Sequence, residues 1–144
     1  MDVNLYFICT GNTCRSAMAE AIMRAKNIPN VQVKSAGIFA APDMPMSPNA
    51  KQVVAEQNIS EQHQASQVDE ATLAWADYVI TMTEGHLQNL RAMYPQYENK
   101  YYQLHALATG QARDVHDPYG GDVSIYRQTF TELQQAIEQI IHKL

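Results

Sequence analysis

Residues 4–16 read Asn4-Leu5-Tyr6-Phe7-Ile8-Cys9-Thr10-Gly11-Asn12-Thr13-Cys14-Arg15-Ser16. The first five residues are mostly apolar and aromatic, which favours a short buried strand. Ser16 begins a run of strong helix formers that continues to Lys26. The loop between them starts at Cys9 and ends at Arg15, and in α/β proteins such a loop lies where ligands bind.

The same alternation of strand and helix continues along the chain. The sequence predicts further strands at 31–33, 77–82 and 100–104, and further helices at 48–57, 87–93 and 124–142. Strands that alternate with helices favour a parallel sheet, because right-handed crossovers place the helices on its two faces. The predicted fold class is therefore α/β, and residues 1–144 are predicted to form a single domain.

Composition limits the classes of partner. The chain has a formal net charge of −5 and a pI near 5.4, and its lysines and arginines are scattered along the sequence. Nucleic acids and anionic membranes need a clustered basic face, so neither is expected as a partner. The sequence has no apolar run long enough to cross a bilayer, and we expect a cytoplasmic monomer whose two cysteines are free thiols.

The loop from Cys9 to Arg15 has the features of an anion site. Gly11 and Asn12 tolerate unusual backbone angles, so the loop can curl until successive N–H groups point at one anion. Cys9 would lie at the floor of this cradle, where the helix terminus and Arg15 favour its thiolate. Cys9 is therefore a candidate nucleophile, and the planar fork of Arg15 can grip two phosphoryl oxygens. The alternative is a cysteine used only for packing and an unrelated surface arginine.

A phosphoryl-transfer site of this kind also needs an acid, because the leaving group must gain a proton as its bond to phosphorus breaks. Asp117 is the candidate, since Pro118 stiffens the loop and restricts Asp117 to extended angles. An Asp-Pro pair that only starts a turn is the alternative. Composition leaves four other acidic residues as competitors: Asp69, Glu84, Asp114 and Asp122.

Two motifs together resemble the low-molecular-weight protein tyrosine phosphatase family. They are Cys9-Thr10-Gly11-Asn12-Thr13-Cys14-Arg15-Ser16 after the first strand and Asp117-Pro118-Tyr119 before the last helix, and the likeness extends over essentially the whole chain. The resemblance implies a four-stranded parallel sheet with helices on both faces and a phosphate-binding loop after strand 1. It also implies a phosphocysteine intermediate on Cys9 and Asp117 as general acid and then general base, with no metal and no cofactor.

The resemblance also implies roles for neighbouring residues. The loop residues that would bind the phosphate group are Thr10, Gly11, Asn12, Thr13, Cys14 and Arg15. Four positions match a family hydrogen-bond network that keeps the loop curled and the thiolate stable: Asn12, Ser16, Ser35 and His63.

One departure from the family pattern bears on the substrate. Thr13 stands where enzymes that act on phosphotyrosine usually carry a bulky aliphatic residue, and Tyr119 is followed by Gly120 rather than by a second aromatic residue. Both features resemble the protein arginine phosphatase branch. Thr13 would leave polar room for a guanidinium, Asp117 would pair with it and Tyr119 would flank its face. We therefore predict hydrolysis of phosphoarginine in proteins modified by a protein arginine kinase, with phosphotyrosine as the alternative.

Cys14 lies in the same loop as Cys9. It could only fill space beneath the loop, or it could act as a resolving cysteine. In the second case peroxide would convert Cys9 to a sulfenic acid, and Cys14 would trap it as a disulfide. Reversible redox inhibition through Cys9 and Cys14 is therefore a further prediction.

Two other functions fit the same scaffold. An arsenate reductase would need further cysteines to relay a disulfide outward, and the sequence has none after Cys14. A non-catalytic phosphate-binding module would not need both a nucleophilic cysteine and a placed acid. Four histidines lack metal-ligand spacing with the cysteines and are interpreted as solvated or turn residues: His86, His105, His116 and His142.

Overall fold

The computed structural model describes residues 2–144. Its elements in chain order are β1 Val3–Cys9, α1 Arg15–Ala25, β2 Val31–Gly37, α2 Pro48–Glu56, α3 Glu70–Trp75, β3 Tyr78–Thr81, α4 Glu84–Met93, a 3₁₀ helix Pro95–Lys100, β4 Tyr101–Gln103, α5 Leu104–Thr109 and α6 Val123–Ile141. The four strands form one parallel sheet in the order β2-β1-β3-β4. The predicted α/β class and the four-stranded parallel sheet are confirmed.

Both faces of the sheet are covered, and β1 shows why. Leu5 and Phe7 face a core cluster built with α1, α2, α5 and α6, whereas Tyr6 and Ile8 face a second cluster built with α3 and α4. Side chains alternate between the two faces of a strand, so a central strand covered on both sides must be apolar throughout. The unbroken apolar run of the sequence is therefore explained by burial on two sides.

The topology places the loop after β1 at the point where the strand order reverses. The chain leaves β1 for β2 on one side and then crosses to β3 on the other side. Between two parallel strands whose connections diverge, a crevice opens at the carboxyl ends of the strands, and ligands bind there. Cys9 is the last residue of β1 and therefore lies at the floor of this crevice.

The structure corrects several predicted boundaries. β2 continues to Gly37 rather than ending at residue 33, because its backbone stays paired with β1 although Lys34 and Ser35 interrupt the apolar pattern. Leu104 begins α5 rather than ending β4, and α4 begins at Glu84 rather than at residue 87. The short helices α3 and α5 were not predicted. Within residues 2–144, no helix combines the length and the apolar character that a membrane span requires.

Candidate active site

The nucleophile predicted from the sequence lies at the end of β1. The side chain of Cys9 is almost fully buried, and its Sγ is 2.8 Å from Oγ of Ser16 in the first turn of α1. A hydroxyl group at this distance can donate a hydrogen bond to a thiolate, and the amino end of a helix adds positive potential. Ser16 is therefore positioned to stabilise negative charge on the sulfur atom of Cys9.

Asn12 holds the curled shape of the loop. Its φ is 59°, a left-handed backbone angle that asparagine accepts better than most residues. The buried Asn12 side chain donates hydrogen bonds to Ser16 Oγ at 2.8 Å and to Ser35 Oγ at 2.9 Å, and accepts one from the backbone N–H of Ser66 at 2.9 Å. One side chain thus ties the loop to α1, to β2 and to the segment after α2.

The structure brings together all four residues of the predicted network. Nε2 of His63 lies 2.6 Å from the backbone carbonyl of Asn12, so His63 joins Ser16 and Ser35 around this loop residue. Glu20 extends the network by accepting a hydrogen bond from Ser35 Oγ. Neither Glu20 nor the Ser66 backbone could be predicted from the sequence, because neither belongs to a motif with recognisable spacing.

Gly37 allows the loop and β2 to approach each other closely. A Cβ atom at this position would lie 2.3 Å from the carbonyl oxygen of Thr10, a distance that no real side chain tolerates. The next two residues, Ile38 and Phe39, donate backbone hydrogen bonds of 2.9 Å to the carbonyls of Cys9 and Thr10. The start of the loop is therefore fixed by backbone contacts that only glycine permits.

The Arg15 side chain is held in position by contacts with the loop that carries Asp117. The Arg15 side chain is buried, Nη1 donates a hydrogen bond of 3.0 Å to the carbonyl of Val115, and Nη2 lies 3.5 Å from Oδ2 of Asp117. A buried guanidinium normally has paired donors, and here the partners come from the loop that carries the predicted acid. Arg15 therefore connects the nucleophile loop to the acid loop.

Asp117 differs from its competitors in its surroundings. Its side chain is 51% exposed, one carboxylate oxygen faces Arg15, and the other accepts a hydrogen bond of 3.1 Å from the backbone N–H of Tyr119. Three of the four other acidic candidates hold helices in place, since Asp69 caps α3, Asp122 caps α6 and Asp114 accepts from the N–H of Glu84. Of the five candidates, Asp117 is the one that contacts Arg15 within residues 2–144.

The side chain of Cys14 is buried and contacts two hydroxyl groups. Its Sγ lies 3.3 Å from Ser47 Oγ and 3.5 Å from the Tyr126 hydroxyl. Burial and the hydrogen bond to Cys14 raise the pKa of Tyr126 to about 12, so its hydroxyl keeps its proton and can donate it to sulfur. Both cysteines are buried free thiols. These contacts connect the loop to α2 and α6.

Two histidines do not match their predicted environment. His86 and His105 were interpreted as solvated or turn residues, which is wrong, because both are buried. Nε2 of His86 lies 2.9 Å from Thr10 Oγ1, and Nε2 of His105 lies 2.6 Å from a carboxylate oxygen of Glu132. Each histidine has a partner from a distant part of the chain, which spacing along the sequence cannot reveal.

The buried state of His86 predicts a pH dependence of stability. Burial and the positive charge of Arg15 lower the pKa of His86 from 6.5 to about 4, although Asp114 and Asp117 act in the opposite direction. The unfolded chain therefore binds a proton at His86 near pH 6.5, whereas the folded chain binds it only near pH 4. Because the unfolded state then holds more protons, stability is lost as the pH falls through this window.

A His86→Gln variant removes this group. Between pH 6.5 and pH 4 its free energy of unfolding should fall less than that of the parent protein, by about 2 kcal/mol. Urea unfolding at several pH values measures the two slopes, with exposed His116→Gln as the matched control. Equal slopes for the parent protein and His86→Gln would contradict the prediction.

Comparisons with known proteins agree with this geometry. The family model described as "Low molecular weight phosphotyrosine protein phosphatase" matches residues 4–144. A protein-arginine-phosphatase from Geobacillus stearothermophilus is 39% identical over 144 residues, covering 100% of this chain and 97% of the relative. A low molecular weight protein-tyrosine-phosphatase, PtpB, from Staphylococcus haemolyticus is 37% identical, covering 96% and 97%.

One solved structure is similar to this chain over nearly the full length of both chains. It is a mutant of YwlE arginine phosphatase that carries a phosphorylated active-site serine, and it superposes with a TM-score of 0.96 at 37% identity. The match covers 99% of this chain and 95% of that chain. The chain belongs to the low molecular weight phosphotyrosine protein phosphatase family.

Proposed function

We propose that this protein hydrolyses phosphoarginine in proteins through a phosphocysteine intermediate on Cys9. The observation that carries the proposal is the position of Asp117, whose half-exposed carboxylate lies 3.5 Å from the buried Arg15 at the mouth of the loop. A phosphoarginine side chain offers a phosphoryl group for Arg15 and a guanidine nitrogen that must gain a proton. Asp117 would give that nitrogen its proton.

The first step transfers the phosphoryl group to the enzyme. The thiolate of Cys9 attacks phosphorus, a sulfur–phosphorus bond forms, and the nitrogen–phosphorus bond breaks with its electron pair left on nitrogen. Asp117 in its acid form gives that nitrogen a proton, so arginine departs without developing negative charge. The loop N–H groups and Arg15 stabilise the phosphoryl oxygens throughout.

The second step releases phosphate. Asp117, now a carboxylate, takes a proton from a water molecule that attacks phosphorus on the phosphocysteine. An oxygen–phosphorus bond forms, the sulfur–phosphorus bond breaks, and the electron pair returns to Cys9 as a thiolate. Ser16 at 2.8 Å stabilises this leaving thiolate, so its hydroxyl group assists the second step.

Selectivity for a guanidine is proposed to come from three residues around the loop. Thr13 provides a small polar side chain, with Oγ1 3.8 Å from Cys14 Sγ, in place of an aliphatic wall. Tyr119 is 81% exposed on the acid loop and offers an aromatic face to a planar cation. Asp117 adds a carboxyl group whose carbonyl oxygen can accept a hydrogen bond from the guanidinium while its O–H group delivers the proton.

The test compares kcat/KM on one peptide sequence that carries either phosphoarginine or phosphotyrosine. We expect the parent protein to prefer phosphoarginine by about 100-fold, because a site built for polar contacts discriminates strongly against a substrate that leaves them unmade. Thr13→Ile should reduce this preference at least about 10-fold by replacing the hydroxyl group with a hydrocarbon wall. Thr13→Ser, which keeps the hydroxyl group, is the matched control and should retain the preference.

The outcomes separate the candidate functions. A parent protein that prefers phosphotyrosine would support the tyrosine phosphatase alternative, in keeping with the name of the staphylococcal relative. Turnover of neither peptide, with tight binding of phosphate, would indicate a phosphate-binding module. Production of arsenite from arsenate in the presence of a thiol reductant would indicate the reductase.

The setting of the reaction is part of the proposal. We propose that the substrates are phosphorylated by a protein arginine kinase and that the enzyme acts as a monomer in the cytoplasm. A net charge of −5 and two free cysteines support this setting. The reversible disulfide between Cys9 and Cys14 stays a prediction, supported by the presence of both thiols in one loop.

A further inference from the structure

Thr10 is the first residue of the phosphate loop after the nucleophile, and it is held from two sides. Its carbonyl accepts a backbone hydrogen bond of 2.9 Å from Phe39, in the segment that follows β2. Its hydroxyl group lies 2.9 Å from Nε2 of His86, which belongs to α4 on the other side of the loop. The position of this residue therefore depends on a side-chain contact with α4.

The position of His86 is restrained by its place in α4 and by burial. It lies in the first turn of α4, and its backbone N–H donates a hydrogen bond of 3.1 Å to Oγ1 of Thr83, which caps the helix. His86 is 6% exposed, and its Nδ1 has no hydrogen-bond partner within residues 2–144. A neutral ring with its proton on Nε2 donates to Thr10 and leaves only a lone pair unpaired at Nδ1, which avoids burying an unsatisfied N–H.

We propose that His86 is a positioning residue that fixes Thr10 and, through it, the first part of the phosphate cradle. The Asn12 network ties the later part of the loop to β2, so the loop is restrained from both sides. Without His86 the Thr10 end of the loop keeps its backbone contact with Phe39 but loses its contact with α4. Donors that stabilise a transition state must be preorganised, because small displacements weaken every contact they make.

The experiment uses 4-nitrophenyl phosphate as substrate and inorganic phosphate as competitive inhibitor. Neither probe depends on selectivity for arginine, so this inference can fail or succeed separately from the proposed function. His86→Leu and Thr10→Val each remove the hydrogen bond, and each should lower kcat/KM about 10-fold. Each should also weaken inhibition by phosphate. His86→Gln retains an N–H donor and should recover most of the loss.

The double variant Thr10→Val/His86→Leu gives the decisive comparison. If His86 acts through Thr10, the double variant loses no more activity than either single variant, since the same contact is already absent. Losses that multiply, or Thr10→Val with parental kcat/KM, would overturn the proposal. His105→Leu, another buried histidine remote from the loop contacts, is the matched control and should change kcat/KM less than about 2-fold.

Thermal melting of every variant separates positioning from folding. If His86→Leu is unfolded at the assay temperature, the kcat/KM values of Thr10→Val and His86→Gln decide the test. These two substitutions preserve the size of the side chain more closely. A lower kcat/KM in Thr10→Val together with a kcat/KM close to the parental value in His86→Gln supports the proposal. Parental activity in Thr10→Val overturns it whatever the state of His86→Leu.

Discussion

Replacing Cys9 by serine is expected to lower kcat by at least about 10⁴-fold. Serine offers a neutral hydroxyl group in place of the thiolate that attacks phosphorus, and the hydroxyl group is a much weaker nucleophile. The neighbouring Ser16 hydroxyl at 2.8 Å can stabilise a thiolate but is not a base that could activate an alcohol. The measurement is kcat on a phosphoarginine peptide, with release of inorganic phosphate followed under single-turnover and steady-state conditions.

The same variant should keep the phosphate site. The loop is held by Asn12 and by the backbone contacts at Gly37, and neither depends on the sulfur atom. Inorganic phosphate should therefore still raise the melting temperature of Cys9→Ser by mass action. Residual activity within 10-fold of the parent protein would contradict the assignment of Cys9, and loss of the phosphate effect would show that the substitution had damaged the loop.

Replacing Asp117 by asparagine is expected to lower kcat/KM, which reports the transfer of the phosphoryl group to Cys9, about 10²-fold to 10³-fold on a phosphoarginine peptide. The amide keeps the size of the side chain but cannot give a proton to the departing nitrogen. A much smaller loss is expected on 4-nitrophenyl phosphate, because its leaving group departs as a stable anion. The dependence of the loss on the leaving group is the signature of a general acid.

Asp114→Asn is the matched control for this substitution. Asp114 lies in the same loop, and its carboxylate accepts a hydrogen bond from the backbone N–H of Glu84 at the start of α4. Its substitution should reduce stability and leave the ratio of the two substrate activities unchanged. An Asp117→Asn variant that lost the same factor on both substrates would show a positioning role in place of proton transfer.

The parts of the molecule that could be predicted from sequence are those encoded by neighbouring residues. The apolar run of β1, the loop from Cys9 to Arg15 and the helix that follows are contiguous, and their order alone indicated the α/β class. The predicted acid stands beside Pro118, whose effect on the preceding residue is also local. The structure places Cys9, Arg15 and Asp117 at one end of the sheet.

The remaining features depend on contacts that sequence patterns do not encode. The partner of Arg15 is the backbone carbonyl of Val115, and every residue has such a carbonyl. His86 was misinterpreted because its partner, Thr10, lies 76 positions away. The helices α3 and α5 span only six residues each, which is too short for a helical pattern of apolar residues to emerge.

The contacts of Arg15 and Cys14 have a consequence for synthesis of the chain. Arg15 binds the carbonyl of a residue 100 positions later, and Cys14 contacts the Tyr126 hydroxyl 112 positions later. A chain emerging from the ribosome therefore contains its nucleophile long before it contains the groups that orient the arginine and complete the acid loop. Domains generally fold as units, so we expect the newly made chain to stay inactive until α6 has emerged.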